Sequence, residues 1–200
     1  MTESQAPLLH LVAGPNGAGK STFYARHIAP SFNSPWINAD DIAQVMFGAE
    51  ASARSLEAAA LAATTRTALI TQRASFATET VFSHPSKLAL IEEARDAGYY
   101  VALHVILLAT PELSAARVDY RIQHQGHRVP VERIAPRFHR NLPLLRHAVT
   151  RAHVADVYDN SDALAPFRLM LRFEGGRAIH SAALTPIAER FLRLVPIVTE

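Results

Sequence analysis

The chain has 200 residues, 49% hydrophobic and 19% charged, which suits one globular domain with a sizeable core. A formal net charge of +2, with no Lys/Arg block or basic–aromatic stripe, disfavours nucleic acid as a partner. The absence of cysteine excludes disulfides, thiol catalysis and Cys-type zinc sites. No apolar run reaches the ~20 residues of a membrane span, and the polar start Met1–Pro7 has no signal-type apolar stretch, so a cytoplasmic protein is expected.

The first apolar run, Leu8–Ala13, predicts a buried strand. It leads into Gly14-Pro15-Asn16-Gly17-Ala18-Gly19-Lys20-Ser21-Thr22, which fits G-x-x-x-x-G-K-[ST] at every fixed position. A helix is predicted over Ser21–Arg26, giving the strand–loop–helix context that a phosphate-binding loop needs. Glycines let the backbone aim N–H groups at a phosphate chain, and Lys20 can reach the β/γ-phosphates. The Ser21 hydroxyl is placed for Mg²⁺, and a helix N-terminus adds a favourable field for an anion. Ser34–Asn38 predicts a short second strand, followed by helices over Ala39–Phe47 and Leu56–Arg73. Ser75–Thr80 predicts a third strand, and Pro85–Ala97 a helix bounded by Pro at its start and Gly98 past its end.

Tyr99–Ala109 is the most apolar run and predicts a central buried strand. Pro111–Gln123 predicts a helix, Gly126–Pro130 a loop, and Val131–Arg151 another helix. A strand at Val154–Tyr158 precedes a hairpin of Phe167–Phe173 and Arg177–Ser181 across Glu174-Gly175-Gly176. A helix over Leu184–Leu194 closes the chain. This order predicts an α/β fold, a mainly parallel sheet flanked by helices with a small C-terminal hairpin. It is one domain over residues 1–200, with an arginine-bearing lid segment at about 111–142.

In such sheets ligands sit beyond the carboxyl ends of the strands, and polar residues of interest stand there. Asp40 and Asp41 follow the second strand, where a carboxylate can take the proton of an attacking hydroxyl. Asp40 is preferred for that role, since one acid of the pair can serve as a helix cap. Glu79, with Thr80, ends the third strand, and a carboxylate in an apolar element requires a partner. A substrate hydroxyl or amide, Mg²⁺ through water, or an arginine would serve. Arg117 and Arg121 share a helix face, and Arg128 follows in the loop; arginines above a phosphate loop neutralise a transferring phosphoryl group. Arg121 and Arg128 are ranked ahead of Arg117. Arg137 and Arg140 are read as structural, as is His127, and Asp156, Asp159 and Asn160 are weaker candidates for a base pocket.

The ordered set of motifs resembles the zeta-toxin-like P-loop kinases over about Leu8 to Asp162. It comprises Gly14–Thr22, Ile37-Asn-Ala-Asp-Asp41, Thr78-Glu79-Thr80 and the arginine series from Arg117 to Leu142. The resemblance implies a P-loop NTPase/kinase-like three-layer fold. It also implies transfer of a phosphoryl group from ATP, with Mg²⁺, to a hydroxyl of a small acceptor. In similar proteins that acceptor is UDP-N-acetylglucosamine. Carried over, Lys20 binds phosphates, Ser21 the Mg²⁺ and Asp40 acts as base. Glu79 and Thr80 contact the acceptor, and Arg121 with Arg128 stabilise the transferring group. The resemblance brings an antitoxin into view as a partner, although no residue announces one. The alternatives are a P-loop ATPase, or a kinase for a nucleoside, an RNA end or an antibiotic.

Overall fold

The computed structural model describes residues 6–123, 131–181 and 185–193. Seven strands form one sheet in the order β2-β3-β1-β4-β5-β6-β7. They are β1 (Leu8–Ala13), β2 (Trp36–Ile37), β3 (Phe76–Thr80), β4 (Tyr100–Leu107), β5 (Val154–Asp159), β6 (Arg168–Glu174) and β7 (Arg177–Ser181). The first five in chain order pair in parallel, and β6 and β7 add an antiparallel hairpin at one edge. The expected architecture is therefore the observed one, with β4 at the middle of the sheet.

Side chains alternate across the sheet with the period of two that a strand imposes. Leu9, Leu11, Val101, Leu103 and Val105 enter the larger core cluster. Helices α3 (Ser55–Thr71), α4 (Ser86–Asp96), α6 (Ile134–Val149) and α7 (Pro186–Arg193) contribute Ile70, Ile91, Leu145 and Phe191 to it. Val12, Ile106 and Leu108 belong to a smaller cluster with Phe23, Ile28 and Phe138. Part of the cover there is the helical run after β1: α1 (Lys20–Phe23), a π-helical turn at Tyr24–Ile28 and a short 3₁₀ turn at Ala29–Ser31. The sequence predicts a plain helix at this place. A wider π turn inside an α-helix is uncommon and frequently marks a functional segment.

Two local departures have simple causes. Strand β2 is only two residues long because Pro35 has no N–H to give and Asn38 already turns to cap α2 (Ala39–Phe47). In α3 the buried stripe is alanine: Ala58 and Ala62 are fully buried, whereas Leu56 is 85% exposed. Ala58 packs with Ala43 of α2, a close approach that a leucine would prevent.

A polar row crosses the sheet on its smaller-cluster face. His10 Nδ1 lies 3.0 Å from His104 Nε2, one imidazole donating to the other. Farther along, Arg172 Nε and Nη2 donate to the Asp156 carboxylate at 2.6 and 2.7 Å. The rings of Phe32 and Phe23 pack on His10 and His104, with centroids 4.7 and 5.3 Å apart. Among the described residues no helix is long and apolar enough to cross a membrane.

Candidate active site

Strands β1, β2 and β3 end at the same side of the sheet, and the segments just past those ends build the site. After β1 the chain enters Gly14–Ser21. Gly17 and Gly19 take φ of +70° and +87°. A Cβ on Gly17 would stand 2.8 Å from the Ser114 carbonyl, and one on Gly19 2.9 Å from Asn160 Nδ2. Only glycine meets both conditions. The loop is braced by distant parts of the chain. Gly14 N donates to Thr80 O at 3.3 Å, Ser114 Oγ to Asn16 O at 2.6 Å, and Asn160 Nδ2 to Ala18 O at 2.8 Å. Asn16 Oδ1, at the cleft wall, is buried without a hydrogen-bond partner among the described residues.

Lys20 is 7% exposed, and its Nζ donates to Pro15 O at 3.1 Å. Burial pulls its pKa down. Glu79 and Asp40 oppose that shift, and Arg121 adds to it. Glu79, Asp40 and Arg121 therefore lie within electrostatic reach of Lys20. Ser21 Oγ donates to Glu79 Oε2 at 2.6 Å, so the partner that Glu79 required is the hydroxyl next to Lys20. In α2 the cap is Asn38, whose Oδ1 accepts from Asp40 N at 2.8 Å. Asp41 accepts from Trp36 Nε1 at 3.1 Å, while Asp40 lines the cleft. Neither acid is the cap, against the expectation that one of the pair would serve so.

Beyond Thr80 the chain turns sharply. Phe82 is fully buried with φ +58°, a conformation rare for an aromatic residue, and its N–H donates to Thr80 Oγ1 at 3.2 Å. Asn141 of α6, itself buried, donates to Val81 O. The Asn of the arginine series therefore fixes the strand end that carries Glu79 and Thr80.

Helix α5 (Pro111–Gln123) divides its arginines. Arg117 donates to Ser161 O at 3.2 Å, whereas Arg121 faces the charge of Lys20. Arg128 and His127 lie outside the described residues. Arg137, read as structural from sequence, lines the cleft with Arg133. Its pKa is lowered first by burial, then by Arg133 and Arg140, while Asp40 opposes the shift. The three weaker candidates are held in hydrogen bonds. Asn160 braces the loop, Asp156 holds Arg172, and Asp159 accepts from the Ser161 hydroxyl at 2.5 Å.

The cleft has a volume of about 480 Å³. Asn16, Asp40, Glu79 and Thr80 line it together with Arg66 and Lys87, which sequence reasoning did not single out. Neither stands in a motif, and only the folded chain carries them to the cleft.

Fold and site together define a P-loop kinase. The chain belongs to the zeta toxin family, whose model matches residues 1–167. None of the curated protein sequences matches it. Among solved structures it is similar to a chain of the AvrRxo1-ORF1:AvrRxo1-ORF2 structure with sulphate ions. The TM-score is 0.75 at 16% identity, over 97% of this chain and 66% of that one. The same protein pair with ATP gives a TM-score of 0.72 at 16% identity, over 97% and 66% of the two chains. A structure of the PezAT chromosomal toxin–antitoxin system of Streptococcus pneumoniae gives 0.63 at 15% identity, over 96% and 84%.

Proposed function

We propose that this chain transfers the γ-phosphoryl group of ATP to a hydroxyl of a small acceptor, and that UDP-N-acetylglucosamine is the acceptor to test first. The observation that carries this reading is the phosphate loop with Lys20 in electrostatic reach of Asp40, Glu79 and Arg121, and a cleft of about 480 Å³ lined by Asp40 and Glu79. Lys20 binds the phosphates. Asp40 accepts the proton of the acceptor hydroxyl. Arg121, with Arg128 from the segment after α5, neutralises charge on the group in transfer. Thr80 and Glu79 stand at the cleft wall, within reach of an acceptor.

The residues present suit Mg²⁺. Ser21 Oγ and the Glu79 carboxylate are neighbouring oxygen donors, and Mg²⁺ takes few protein oxygens beside phosphate. When bound, Mg²⁺ neutralises charge on the phosphates. ATP itself was present in one AvrRxo1 structure, which supports the nucleotide assignment here. PezAT is by its name a toxin–antitoxin system, and an antitoxin for this chain is an extension from that likeness. The arginine-bearing segment at about 111–142 serves as the lid of a single domain.

The test is ADP release with Mg-ATP, with and without UDP-N-acetylglucosamine, followed by mass spectrometry of the sugar nucleotide. A product heavier by one phosphoryl group is expected. Nucleotide binding without product would overturn the acceptor and leave the kinase standing.

A further inference from the structure

The charges that line the cleft fall into two groups. Asp40 and Glu79, which act on the charge of Lys20, and Arg137, on which Asp40 acts, form one group. Arg66 of α3 and Lys87 of α4 form a second group, which also lines the cleft. Both are half-buried, and among the described residues neither makes a hydrogen bond or an ion pair at contact distance. Burial lowers the pKa of each. Lys87 is pushed down further by Arg66, and Glu93 is the carboxylate that acts on Arg66 in the opposite sense. Two cations facing one cavity with so little compensation are costly unless an anion joins them. Lys87 stands in the first turn of α4, whose N-terminal field has the same sign. A planar guanidinium beside an ammonium suits a phosphate, which accepts two parallel bonds from one and a point charge from the other.

We propose that Arg66 and Lys87 form an anion-binding subsite in the cleft that Asp40 and Glu79 also line, and that the acceptor docks a phosphate group there. The inference rests on the kinase reading and adds how the acceptor is recognised. Small and apolar residues, Ala53, Leu56, Ala59 and Leu90, line the cleft as well. The acceptor is therefore gripped by its charged group and positioned by its hydroxyl at Asp40. Molecules with the same hydroxyl and no phosphate are poor substrates.

The test uses the full chain with its phosphate loop filled by saturating Mg-AMP-PNP, and inorganic pyrophosphate as the probe, titrated by calorimetry. Pyrophosphate is expected to bind the wild type. Affinity should fall about tenfold or more in Arg66→Gln and in Lys87→Gln, with Mg-AMP-PNP binding unchanged. No pyrophosphate binding, or undiminished binding in the double variant, would overturn the subsite and leave the kinase reading intact. If Arg66→Gln fails to bind Mg-AMP-PNP through misfolding, Lys87→Gln, near the start of its helix, decides alone. Failure of the wild type to bind Mg-AMP-PNP would sink the kinase reading and this inference with it.

Discussion

Lys20 and Asp40 are expected to separate binding from chemistry. Lys20→Ala should weaken nucleotide binding and abolish transfer. Asp40→Ala should leave nucleotide affinity unchanged and lower kcat by about 10²-fold or more. Single-turnover transfer beside nucleotide titration checks both, and full transfer by Asp40→Ala would remove that residue from the base role. Glu79 is the more discriminating position, because its carboxylate takes the Ser21 hydroxyl at 2.6 Å. If Glu79 serves Ser21 and its metal, Glu79→Gln should raise the Mg²⁺ concentration needed for half-maximal rate. A raised acceptor KM at unchanged Mg²⁺ dependence would return Glu79 to the acceptor. The glycines, Lys20 and Ser21 were legible in the sequence because their chemistry requires a fixed local spacing. The places of Arg66, Lys87 and Arg137 at the cleft were not, since nothing local marks a cation that reaches it only once other elements fold against its own. The brace that Asn160 supplies was hidden for the same reason. Its amide serves a carbonyl at Ala18, 142 residues away, a contact no pattern in one sequence records.

Elements were legible where their periodicity was long and their ends were marked. Helices α2 and α5 coincide with their predicted bounds, and β4 is the central strand that its apolar run announced. The π turn after α1 escaped prediction, because Tyr24–Ile28 carries no breaker or glycine to mark it. Beneath this helical run lie His10 and His104, and burial lowers both pKa values, that of His104 to about 3. His10 and Arg172 depress His104 further, and Asp156 opposes them. Folding therefore favours the neutral rings, while the unfolded chain takes up protons below about pH 6.5. Stability should be full above that pH and fall by about 1.4 kcal/mol per unit for His104 between pH 6.5 and 3. Chemical denaturation at pH 7.5 and 4.5 tests this, and His104→Leu should flatten the acid slope by about that amount. An unchanged slope would show that other groups govern acid unfolding.

At the scale of the whole molecule, the sheet order makes neighbours of strands far apart in sequence. Strand β1 lies between β3 and β4, so its two partners arrive about 65 and 90 residues later by the register Leu9↔Phe76 and Leu9↔Val101. Ligand binding should consequently stabilise the fold as a unit. Mg-ATP at 100 times its Kd is expected to add about 2.7 kcal/mol, a rise in Tm of roughly 5–10 °C in a chain of this size. Lys20→Ala should lose most of that rise in a thermal melt, and an equal rise would place the nucleotide elsewhere. The braces of the phosphate loop carry this dependence into protein synthesis. The loop leaves the ribosome early, but Thr80, Ser114 and Asn160 must emerge before its shape is held. A nascent chain that already carries Gly14–Ser21 therefore has no formed nucleotide site, and competence arrives late in translation. Chains truncated before β5 should be catalytically silent, so stalled or prematurely terminated translation releases no active fragment.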